Sequence, residues 1–102
     1  YRVRITNIAA GGAAVYEIQT TSSDIELVVP AGKILIWMVF ICSEECFVTI
    51  ARATVDNVVL DQLPVAADVP AEIQAGWYAI TDTTIFISGL TGNTTIKYYL
   101  LG

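Results

Sequence analysis

Ten acidic residues against five basic ones in 102 give the chain a net charge of −5, and it has no histidine. The charge balance argues against a nucleic-acid partner, which calls for a basic, aromatic-interleaved patch. The lack of histidine removes the commonest general base and the usual serine or cysteine triads. Apolar residues make up 55% before the 7 Gly are added, and charged residues 15%, against ~45–50% with Gly included and ~25% in ordinary globular chains, so a monomer would leave large apolar patches in water. Self-association is therefore the first functional expectation, within a length that suits one domain over residues 1–102.

From the N-terminus, Tyr1 to Ile8 reads as strand rather than as a signal peptide. Arg2 and Arg4 share one face of that strand, in the manner of an edge blunted by charge. Turn signals then recur about every 8 to 12 residues, the rhythm of a β-sandwich or barrel. They are Gly11-Gly12, residues 21–24, Pro30-Ala31-Gly32, Ser43-Glu44-Glu45, Asp56-Asn57, residues 64–70, Thr81-Asp82 and residues 89–93. Between them the spacing predicts strands over Ala14–Thr20, Ile25–Val29, Lys33–Cys42, Cys46–Ala53, Asn57–Leu60, Ala71–Gln74, Thr84–Ser88 and Thr94–Leu101. All are rich in Val, Ile, Thr, Tyr and Phe. The best helical window, residues 63–75, contains two prolines and is rejected. The fold class that follows is all-β, a two-sheet antiparallel sandwich, with a jelly roll ahead of an immunoglobulin-like arrangement or a barrel.

The run Lys33-Ile-Leu-Ile-Trp-Met-Val-Phe-Ile-Cys42 is the most informative segment. Strict alternation puts Ile34, Ile36, Met38, Phe40 and Cys42 on one face and Leu35, Trp37, Val39 and Ile41 on the other. Neither face is polar, so both need cover, and Leu35, Trp37, Val39 and Ile41, with Tyr98 and Tyr99, are the interface candidates. The run is too short, and its flanks too broken by Glu26, Pro30, Gly32 and Lys33, for the ~20 residues of a membrane span. No membrane partner is expected.

Cys42 and Cys46 flank Ser43-Glu44-Glu45. If that loop closes a hairpin, the two face each other as a cross-strand pair at a separation that suits a disulfide. The alternative is a pair of free buried thiols. Four cysteines or histidines are not available for zinc within one chain, and no acidic loop matches the calcium-binding Asp-x-Asp-x-Asp-Gly pattern, so no metal or other cofactor is expected. Asp56, Asp61, Asp68, Glu72 and Asp82 mostly occupy turn positions, where local backbone hydrogen bonding explains them better than paired-carboxylate catalysis. Trp77 and Tyr78 are the best candidates for a sugar-stacking platform, and Asn93-Thr94-Thr95 matches a glycosylation sequon.

A cadence links Val28-Val29-Pro30-Ala31-Gly32-Lys33, then Asp61-Gln62-Leu63-Pro64-Val65, Gln74-Ala75-Gly76-Trp77-Tyr78 and Thr84-Ile85-Phe86-Ile87-Ser88-Gly89 to the closing strand Thr94–Leu101. Over residues 25–102 it resembles small jelly-roll virion proteins of tailed bacteriophages, the decoration or cement proteins and the tail-fibre or spike tip modules. The resemblance implies a non-enzymatic virion protein, commonly a homotrimer, that bridges and stabilises subunits of the major capsid protein. The rival it leaves open is a carbohydrate or receptor-binding module of a fibre or spike.

Overall fold

Nine strands and no helix make up the computed structural model, which describes residues 2–4 and 13–102. They are β1 (Arg2–Arg4), β2 (Ala13–Thr20), β3 (Ile25–Val29), β4 (Ile34–Cys42), β5 (Cys46–Arg52), β6 (Val58–Val65), β7 (Ala71–Tyr78), β8 (Thr83–Ser88) and β9 (Thr94–Leu101). Apart from β1, the strand expected over Tyr1–Ile8 lies outside the described residues, as does the Gly11-Gly12 turn.

Two sheets pack face to face. One has the order β2-β9-β4-β7 and is antiparallel throughout; the other has the order β3-β8-β5-β6, with β1 added in parallel at the β3 edge. From β2 onward the chain crosses between sheets at every connection except the β5–β6 hairpin. That order is a jelly roll, the double-sheet solution to burying one face of each sheet.

The core lies between the sheets. Ile25, Leu27, Val29, Val48, Ile50, Ile85 and Ile87 line it from one side, and Ile18, Leu35, Met38, Phe40, Ile96, Tyr98 and Leu100 from the other. Alternation along each strand accounts for most of this, since every second residue points inward. Two strands extend further than their sequence pattern indicated. β6 continues through Pro64, which is tolerated because β6 is an edge strand whose free side needs no donor. An extra residue at Asp61-Gln62 bulges β6 against β5, with Gln62 at φ 56° and its amide donating to the Thr49 hydroxyl. β7 runs on past Gln74 through Gly76 to Tyr78.

The most consequential irregularity is in β4. Leu35 opposes Leu100 of β9 and Trp37 opposes Tyr99, so Ile36 is an extra residue in β4. This bulge reverses the alternation once. Leu35 joins Met38, Phe40 and Cys42 in the core at 0% exposure, whereas Ile34, Trp37, Val39 and Ile41 lie on the outer side. The expectation of two faces, with Leu35 beside Trp37 and Val39, is corrected accordingly: Leu35 is a core residue and offers no side chain to a partner.

Candidate interaction surface

The outer face of the β2-β9-β4-β7 sheet gathers most of the apolar residues that the core does not take. Pairing sets them in rows across the strands. Leu101, Ile34 and Tyr78 form one row, and Val15, Tyr99, Trp37 and Gln74 the next. The third row is Glu17, Lys97, Val39 and Glu72. Val15 is 61% exposed, and Leu101 and Tyr78 are also exposed, while Ile34, Ile36, Trp37, Tyr99 and Ile41 are half-buried. Neighbouring side chains cover Val39 almost completely, leaving 7% of it exposed.

Some of the polar groups on this face are engaged within it. The Trp37 indole Nε1 donates to Glu72 Oε1 at 2.6 Å, and Lys97 Nζ lies 3.9 Å from Glu17 Oε1. A partner covering these two pairs would meet groups that already have partners, which lowers the desolvation penalty of burying them.

Four of the six sequence-designated interface residues lie on this surface: Trp37, Val39, Ile41 and Tyr99. Leu35 does not, for the reason given above. Tyr98 is also a core residue, at 2% exposure, with its ring stacked on Tyr16 at a centroid distance of 5.3 Å. Burial, with a smaller contribution from Tyr16, pushes the Tyr98 phenol up to about 12. The alternative stacking pair is divided as well. Trp77 packs inward against the core while Tyr78 is exposed on the outer face, so the two rings form no common platform. Val15, Ile34, Leu101 and the half-buried Ile36 were missed as surface candidates. Lys97 and Glu72 marked the outward side of β9 and β7, and pairing register extends that side to Val15, Leu101 and Ile34.

Three of the five acidic residues considered for catalysis accept hydrogen bonds from neighbouring strands or turns. Asp82 accepts the Ala31 amide, Asp61 accepts the Thr49 hydroxyl, and Glu72 accepts the Trp37 indole. Among the described residues no group of three or more Asp, Glu or Cys is placed to hold a metal ion, and no helix is long and apolar enough to cross a membrane. A cleft of about 630 Å³ lies between the end of β2 and the start of β9 and is lined by Gln19, Thr20, Thr21, Ser22, Asn93, Thr94 and Thr95, a hydroxyl and amide lining without an aromatic wall.

Cys42 and Cys46 require a correction of a different kind. β4 and β5 do not pair: the three-residue loop 43–45 is an arch that carries the chain from one sheet to the other. The cysteines are thus not a cross-strand pair of a hairpin. Both are buried free thiols pointing into the space between the sheets, with Sγ atoms 3.1 Å apart. Burial, together with the adjacent Cys46 sulfur, pushes the Cys42 thiol up to about 11.

Compared with protein-family models, with curated proteins and with solved structures, the chain matches none.

Proposed function

We propose that the chain is a non-enzymatic structural subunit that assembles with copies of itself through the outer face of the β2-β9-β4-β7 sheet. The observation that carries this reading is the apolar field of Val15, Tyr99, Trp37, Ile34, Leu101 and Tyr78, open on a chain with few charges. Its size suits a second copy. Four strands ~4.8 Å apart and eight residues at ~3.3 Å give a flat footprint of roughly 500 Å², and projecting Trp and Tyr side chains raise the accessible area toward the ~800 Å² per partner of a standard interface. The internally paired Glu17, Lys97, Trp37 and Glu72 suit it too, because each copy then buries groups that already have partners.

The place of such an assembly is the outside of a virion, as a decoration or cement protein bridging subunits of the major capsid protein, with a closed trimer as the expected form. The jelly-roll order supports that step by analogy, since the architecture recurs in viral capsid and lectin domains. The rival carbohydrate-binding reading has lost the Trp77–Tyr78 platform on which it was built.

Light scattering across a dilution series tests the assembly. Wild-type protein is expected to remain oligomeric, and the double variant Val15→Glu, Leu101→Glu, altered only at exposed positions, to fall to a monomer. A monomeric wild type, or a variant of unchanged mass, overturns the proposal. Cosedimentation with capsid shells that free sugars do not compete supports the virion role, and glycan binding without shell binding overturns it in favour of the rival.

A further inference from the structure

The arch between β4 and β5 holds the two cysteines in an arrangement that the assembly reading does not use. Its backbone is clasped on both sides. Ser43 N donates to the Asn93 carbonyl at 2.9 Å, and Asn93 N donates to Ser43 Oγ at 2.8 Å. The Thr91 hydroxyl donates to the Glu45 carbonyl at 2.9 Å, and Asp68 N donates to the Cys42 carbonyl at 2.7 Å. With the strand ends fixed in this way, the Cys42 and Cys46 sulfurs are held 3.1 Å apart, about 1 Å beyond a disulfide bond length of ~2.05 Å. Closing the pair requires the two sulfurs to approach by that difference. The Thr94 hydroxyl lies 3.6 Å from the Cys42 sulfur.

We propose that Cys42 and Cys46 are an oxidisable pair that closes, by exchange with a low-molecular-weight disulfide, into an intrachain bond stapling the two sheets together at the arch. The chemistry balances as two exchanges. One cysteine loses its proton and attacks a sulfur of the reagent, forming a mixed disulfide and expelling one thiolate. The second cysteine loses its proton and attacks the protein sulfur of that mixed disulfide, forming the Cys42–Cys46 bond and expelling the other thiolate. The protein loses two hydrogens, and one small disulfide is reduced to two thiols.

Burial sets the rate. The thiolate is the attacking form, and a Cys42 thiol raised to about 11 supplies little of it at neutral pH. The reagent must also reach sulfurs that are 0% and 3% exposed by residue. Closure is therefore slow in the folded protein and accelerates when residues 43–45 open or the pH rises. The pair stays reduced in a glutathione-rich compartment and locks once the protein reaches oxidising surroundings.

The test is to incubate reduced, desalted protein with oxidised glutathione and follow intact mass and free-thiol titre. A parallel sample is opened with denaturant and returned to native buffer in the same reagent. The expected product is wild-type protein lighter by two hydrogens, with no adduct and its two titratable thiols gone. Cys42→Ser and Cys46→Ser, folded by circular dichroism, stop with one glutathione attached or stay reduced. Three results overturn the proposal: two glutathiones on the wild type, disulfide-linked dimers on a non-reducing gel, or both thiols still free in the opened and refolded sample.

Discussion

Replacing Gly89 with alanine separates the effect of backbone conformation from that of space. Gly89 ends β8 at φ +85°, and a Cβ built there falls well inside contact distance of the Phe47 carbonyl oxygen and 3.3 Å from its carbon. Gly32 has nearly the same conformation, φ +82°, with nothing within 4 Å of such a Cβ. Gly76, on the outer face of β7, has neither constraint. The left-handed conformation alone costs a residue with a Cβ about 1–2 kcal/mol, so Gly32→Ala is expected to lose about that much. Gly89→Ala adds a collision with backbone that cannot swing aside, because Phe47 follows Cys46 directly in β5 and is paired with Pro64 of β6 within the sheet. A total of roughly 3–4 kcal/mol is expected, a large share of the ~5–15 kcal/mol that holds a domain together. At ~4–8 °C per kcal/mol for a chain of this length, Tm falls by roughly 12–30 °C, against roughly 4–16 °C for Gly32→Ala. Gly76→Ala is expected to be neutral or stabilising by up to ~1 kcal/mol, through the entropy of the unfolded chain. Thermal unfolding of the three variants by circular dichroism decides the matter. If Gly89→Ala loses no more than Gly32→Ala, the close approach of β8 to the Phe47 carbonyl is not a constraint on the fold.

Two further outcomes follow from groups described above. The Tyr98 phenol ionises near 12 in the fold and near 10 when unfolded, so the folded state keeps its proton where the unfolded chain has lost it. Stability from this residue is complete below pH 10 and is lost as pH rises from about 10 to 12, by about 2–3 kcal/mol. Denaturant titrations at stepped pH should show that decline in wild-type protein and a shallower one in Tyr98→Phe; equal slopes refute the assignment. Trp37→Phe keeps a ring on the outer face but removes the donor to Glu72. It is expected to change monomer stability by under ~1 kcal/mol while weakening self-association at least tenfold, because Glu72 would then be covered without a partner. Dissociation constants from sedimentation equilibrium measure the second effect, and an unchanged constant would place the association elsewhere.

The sandwich was legible because its signal is redundant: apolar alternation, β-branched residues and regularly spaced turns all point the same way. The ends of β6 and β7 were not, because Pro64 and Gly76 resemble terminators until the fold shows that one lies on an edge strand and the other faces outward. Left-handed turns at Ala53, Gln62 and Asp68 carry no glycine to announce them. The inward direction of Tyr98 and Trp77 was available. Lys97 in β9 and Glu72 and Gln74 in β7 mark the solvent side, and the two aromatic residues fall on the opposite parity. The arch at Cys42 and Cys46 was not available, because a short loop between two strands reads as a hairpin unless the topology sends consecutive strands to different sheets.

The bulge at Ile36 explains why β4 misled and where the proposed partner copy would approach. In a strand with a polar face, an extra residue shows itself as a break in alternation. Residues 34–42 are apolar throughout, so the slip leaves no trace in the sequence. Its structural effect is to turn both Leu35 and Met38 inward with Ile36 and Trp37 between them, filling the core without leaving β4 fully exposed. Since β4 lies between β9 and β7, its outer side chains are also flanked from both sides, and Val39 is nearly closed off. The apolar surface that remains open is carried instead by β2 and by the ends of β9 and β7, at Val15, Leu101 and Tyr78. The self-association surface proposed on this sheet would therefore be centred on Tyr99, which pairs with both Val15 and Trp37, and not on the greasiest strand.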